Sequence, residues 1–207
     1  MRPPGTPSWQ LRVNPWPTEL VLALWIRAVE RIPVPSGGLV PGPVDLDPLP
    51  APSEPPLDPD QVADGWAHWW AQLVDVAPPD PRIMALATEP DLALESGASP
   101  WLLPWPDLHR VVGRRVREAA RWRHERTLVA MRDLDRTPPR DDGDVVRQLE
   151  ADLHRAAPSF ECELIVLPVC DDVVRQIAPG RYLVPERVYD DAAWPATLTQ
   201  LIRPLFG

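Results

Sequence analysis

A helix of roughly thirty residues, apolar on one face and cationic on the other, limits what a chain of this size can fold into, because its two faces need opposite surroundings. The stretch from Pro106 to Arg136 reads as one such helix. At about 100° per residue, Leu108, Val112, Val116, Ala119, Ala120, Thr127, Ala130 and Leu134 share one face, and Arg110, Arg114, Arg117 and Arg121 lie opposite. The charge is local. Residues 1 to 105 hold 5 Arg against 13 acids, this stretch 9 against 5 and the remainder 7 against 12, within a net charge of −9.

The rest of the chain must be organised around that helix with unusual materials. Its 30 Pro beside 10 Gly demand irregular segments, while a 44% hydrophobic content is that of an ordinary globular protein. A length of 207 residues suits one domain with a real core. All basic residues are Arg. Without Lys there is no Schiff-base chemistry, no GxxxxGK[ST] phosphate loop and no nuclease scheme that needs a catalytic Lys. Cys162 and Cys170 would lie roughly 26 Å apart if the intervening residues were extended at ~3.3 Å each, too far for a disulfide. Two free thiols fit a reducing, cytoplasmic setting. The longest apolar run, Leu20 to Ile26, is bracketed by Glu19 and Arg27, so neither a signal peptide nor a membrane span is expected.

In chain order, residues 1 to 17 carry five prolines with Trp9 and Trp16 and read as an irregular arm that resists helix and central strand. Thr18 is placed to cap a helix running from Glu19 to Ile32, whose polar stripe is so narrow that it must be covered by this chain or a partner. Residues 33 to 59 bring a proline every few positions and read as an extended spacer. Asp58, Pro59 and Gln61 then start a strongly signalled helix. In it Val62, Trp66, Trp69, Trp70, Leu73 and Val74 form a core stripe, with His68 on the solvated side. Short helices are expected over 80 to 88 and near 91 to 95, then Trp101 and Trp105 as a hydrophobic lid. The run 137 to 144 reads as a turn and 144 to 156 as an amphipathic helix. From Phe160 the pattern changes to a strand, with Cys162, Leu164 and Val166 on one face and Glu161, Glu163, Ile165 and Leu167 on the other. A short helix over Asp171 to Ile177, a turn at Gly180, a strand over Arg181 to Val184 and a last helix capped by Asp190 or Asp191 complete the chain.

The expected fold is therefore mainly α: a helical body with a Pro-rich N-terminal arm and linker and a small C-terminal α+β element. Residues 1–57 hold the arm, first helix and linker, and 58–207 the main domain.

The arginine face is the first candidate for chemistry, with Glu118 and Glu125 at pairing distance from Arg114 and Arg121. Arg123 and Arg126 fall on the apolar face and must snorkel, meet inward carboxylates or hold an anion. Glu161, Glu163 and Asp171 have the residue types of a metal-dependent nuclease without its lysine. His124 and Glu125 open an HExxH that residue 128, a Leu, breaks. GxSxG, GxGxxG and CxxC are all absent, so no catalytic residue, metal site or cofactor is assigned. The residues point to a non-enzymatic interaction or accessory protein acting through a protein partner. The alternatives are a nucleic-acid reader using Arg110, Arg114, Arg117 and Arg121, and a metal-dependent hydrolase using the C-terminal carboxylates.

Overall fold

The computed structural model describes residues 8–52, 58–75, 102–134 and 141–207. They form a mainly helical fold with a small mixed four-stranded sheet. The elements are β1 (Gln10–Pro15), α1 (Thr18–Val29), α2 (Pro59–Asp75), α3 (Pro106–Leu134), α4 (Gly143–Leu153), β2 (Glu161–Leu167), β3 (Arg175–Ala178), β4 (Arg181–Pro185), α5 (Glu186–Tyr189) and α6 (Trp194–Ile202), with a closing 3-10 turn over Arg203–Phe206. The helices expected over 80 to 88 and 91 to 95, Trp101 and most of the turn before α4 lie outside the described residues.

The sheet runs β1-β2-β4-β3, with β1, β2 and β4 parallel and β3 antiparallel to β4. β2 is buried on both faces, which is why it reads as a nearly continuous apolar run. Its alternation divides the core. Cys162 and Leu164 join Tyr182 and Val184 beneath α4 and α6, where Val146, Leu149, Trp194 and Leu198 are buried. Ile165 and Leu167 face the larger cluster of α1, α2 and α3. Helices therefore cover both faces of the sheet, and the C-terminal α+β portion is built into the body rather than appended to it.

Four expectations need correction. Residues 10–15 form an edge strand in register with 161–166, where an arm was expected. Leu11 and Val13 supply the alternation, and an edge position tolerates the missing N–H of Pro15. Residues 33–51 are a strap rather than a spacer. Buried Arg27 donates to the Pro41 carbonyl at 3.0 Å, Trp70 Nε1 to that of Leu39 at 2.9 Å and Arg175 to that of Gly38 at 3.1 Å. Asp171 accepts from the Gly42 N–H and from Arg175, contacts that outweigh its burial and hold its carboxyl below the usual range. That staple stabilises the fold at neutral pH and is lost as the solution is acidified through the carboxylate range.

The stretch 171–177 is not a helix: residues 175–178 pair with β4 as a hairpin strand. Its turn needs Gly180, whose φ is +74° and whose missing Cβ leaves room for the Glu161 carbonyl. Thr18 is the first residue of α1 rather than its cap, and that helix stops at Val29, short of Ile32. Other expectations match. Asp58 Oδ1 accepts from the N–H groups of Asp60 and Gln61 at 3.1 Å, and Trp66, Trp69 and Trp70 are core. α1 is covered by its own chain.

One buried acid fastens the C-terminal side. Asp142 accepts from Trp194 Nε1 and from the Tyr189 hydroxyl, each at 3.0 Å. Asp142→Ala strands the buried indole N–H, and we expect a loss of about 2–3 kcal/mol by urea unfolding, with Asp142→Asn losing less.

Candidate arginine interface on the long helix

α3 holds eight arginines in 29 residues, and the structure sorts them by the face they occupy. Leu108, Val112, Val116 and Ala119 are buried against α1 and α2, which turns Arg110, Arg114, Arg117 and Arg121 outward. Arg110, 51% exposed, pairs with Asp107 at 3.1 Å. Arg114, Arg117 and Arg121 are exposed and make no ion pair among the described residues. Glu118 does not balance them, because it is bound to Arg115 at 2.6 Å. The three free guanidinium groups span about 10 Å along the helix at ~1.5 Å per residue.

The inward arginines are tied to the protein. Arg115 bonds the Glu30 carboxylate, whose side chain is only 4% exposed, and donates to the Ala51 carbonyl at 2.7 Å, so it clamps α1, α3 and the strap together. Burial alone would lower Arg115, but the hydrogen bonds and charges of Glu30 and Glu118 hold it above its ordinary value. Arg126 pairs with Glu186 and lies over the rings of Trp16 and Trp122 at 5.3 and 5.8 Å. Arg123 donates to the Thr18 hydroxyl. The Nε atoms of both, and Nε1 of Trp16, are buried without an acceptor among the described residues. Of the six arginines singled out from the sequence, Arg123 and Arg126 thus face the body and the other four form an outward ridge.

Two features of this helix escaped the sequence reading. Arg115 sits at the border of the two faces, and its signal was the need of Glu30, at the end of the largely apolar α1, for a cation. Leu128 lies in line with the arginine ridge and is 40% exposed, with Val129 beside it at 55%. Two exposed apolar side chains thus lie beside the ridge, between Arg121 and the exposed Arg132.

The carboxylates do not gather. Glu163 pairs with Arg181 at 2.9 Å and Asp171 with Arg175 at 2.8 Å. Among the described residues no group of three or more His, Cys, Asp or Glu is placed to hold a metal ion. The parallel strands β2 and β4 end beside a hollow of about 250 Å³ lined by Asp45, Pro168, Val169, Cys170, Glu186 and Arg187. Its polar groups are engaged: Arg187 with Asp172 at 2.7 Å and Glu186 with Arg126. Burial and the adjoining Asp45 carboxylate raise the Cys170 thiol, and burial pushes Cys162 up to about 12, so both are protonated at neutral pH. Both cysteines are free. Among the described residues no helix is long and apolar enough to cross a membrane.

Comparison with known proteins gave no match to a family model, a curated protein or a solved structure.

The two classes of arginine should separate by stability. Arg115→Ala removes the cation that the buried Glu30 carboxylate and Glu118 share, and should cost about 3 kcal/mol. Its neighbour Arg114→Ala should change stability by less than about 0.5 kcal/mol. Paired thermal and urea melts of the two variants check this.

Proposed function

We propose that this is a non-enzymatic interaction or accessory protein that holds an acidic surface of a protein partner against the outward ridge of α3. The observation that carries the reading is the set of exposed arginines, Arg114, Arg117 and Arg121, which make no ion pair among the described residues while the nearby acids Asp107 and Glu118 are engaged by other arginines. Arginine is enriched at protein interfaces because its planar guanidinium binds carboxylates through two hydrogen bonds and is weakly hydrated. The exposed Leu128 and Val129 favour a protein over a nucleic acid, since phosphates offer them nothing to pack against.

The test is purification of the tagged protein from its host at low salt, with and without nuclease, beside an Arg114→Glu, Arg117→Glu, Arg121→Glu triple variant whose folding is verified by circular dichroism. The wild type should retain a nuclease-resistant protein that the variant loses. Recovery of the same proteins by both would contradict the reading. A nuclease-sensitive nucleic acid in their place would move the assignment to nucleic-acid binding.

A further inference from the structure

The acidic surface complementary to the ridge is present on the chain itself. α2 contains Asp60, Asp64 and Asp75 and no Arg, so the charges it presents are acidic. All three carboxylates are exposed and, among the described residues, none makes an ion pair. They share the solvent face with His68 and Ala71, because Val62, Trp66, Trp69, Trp70 and Leu73 occupy the buried one. Within one molecule α2 packs through Gly65 and the His68 ring against Trp105, the residue before α3, while Asp60, Asp64 and Asp75 of α2 and the four ridge arginines of α3 are exposed.

The spacing matches as well as the charge. Positions 75, 71, 68 and 64 of α2, read backwards, follow the same 4-3-4 spacing as positions 110, 114, 117 and 121 of α3. A 4-3 repeat is the geometry that lets two helices lie lengthwise with side chains interlocking. Laid antiparallel, Asp64 meets Arg121 and Asp75 meets Arg110 beside its own Asp107, the two contacts lying 11 residues apart, about 16 Å at ~1.5 Å per residue. Ala71 and the half-polar His68 then face Arg114 and Arg117, leaving room for their long side chains.

We propose that the partner of the arginine ridge is a second copy of this chain, with α3 of each copy laid antiparallel on α2 of the other around a two-fold axis. This rests on the protein-interaction reading of the same ridge and names its occupant. Because exposed ion pairs are individually weak and screened by salt, the dimer is concentration-dependent and dissociates as salt rises.

The experiment is sedimentation analysis of the full chain over a concentration series at about 0.05 and 0.5 M salt. It includes two register-matched charge reversals: Arg110→Glu with Arg121→Glu, and Asp64→Arg with Asp75→Arg. The wild type should dimerise at low salt, and each variant alone should self-associate at least roughly tenfold more weakly. An equimolar mixture should regain the dimer, since both contacts are again between opposite charges. Restoration on mixing separates a true interface from a folding defect. A wild type that stays monomeric, or variants that each keep the dimer, would overturn the inference. A monomeric wild type that still loses a host protein through the Arg114, Arg117 and Arg121 reversals would overturn it while leaving the proposed function standing.

Discussion

Strand β2 is the constraint on which the rest of the structure depends. Six of its seven residues are buried, on both sides, and need two separate covers, which the chain supplies from opposite ends of its sequence. Ile165 and Leu167 anchor the body of α1, α2 and α3, while Cys162 and Leu164 anchor α4 and α6. The hydrogen-bonding edges of β2 are satisfied in the same divided way, by β1 from the beginning of the chain and β4 from its end. A strand left unpaired in such a position would carry buried N–H and C=O groups without partners. Pairing with residues 10–15 is therefore part of the core rather than an ornament on its edge. It also fixes where α1 begins, and through Arg115 and Glu30 it fixes how α3 lies across the body.

What could be read in the sequence was what periodicity and capping encode. The long helix, the tryptophan stripe of α2, its Asp58 cap and the two faces of β2 all follow from residues that repeat at 3.6 or 2, and they stand as read. What could not be read was long-range pairing. Leu11 and Val13 alternate as a strand should, but with prolines on both sides the signal acquires meaning only when residues 161–166 are placed beside it. The strap over 33–51 has no periodicity, and its fastenings run from Arg27, Trp70 and Arg175 to backbone carbonyls that look alike in any sequence. Residues 171–177 place Val173, Val174 and Ile177 at helical spacing, yet a hairpin with β4 overrode that local preference.

The arginines of α3 show the same limit at the candidate site. The helical wheel correctly separated an outward set, Arg110, Arg114, Arg117 and Arg121, from an inward set, Arg123 and Arg126. It could not identify Thr18, Glu186 and the Trp16 ring as the inward partners, because these come from distant elements. Nor could it show that Arg115, beside Arg114 in sequence, is a structural clamp. A guanidinium in the interior must be matched by acceptors, whereas one at the surface loses little if left alone. The ridge is notable because three of its four arginines make no ion pair among the described residues of a protein so rich in acids.

The division of these arginines into internal ties and a free ridge is the central claim, and arginine-selective chemical footprinting of the native chain tests it most directly. Reaction with phenylglyoxal, followed residue by residue by mass spectrometry under conditions that keep the protein monomeric, should modify Arg114, Arg117 and Arg121 quickly. Arg115 and Arg123 should stay protected until the protein unfolds. Equal rates at Arg114 and Arg115 would contradict the account, for then the helix would not be held in the orientation that turns Arg114 to solvent and Arg115 to the body.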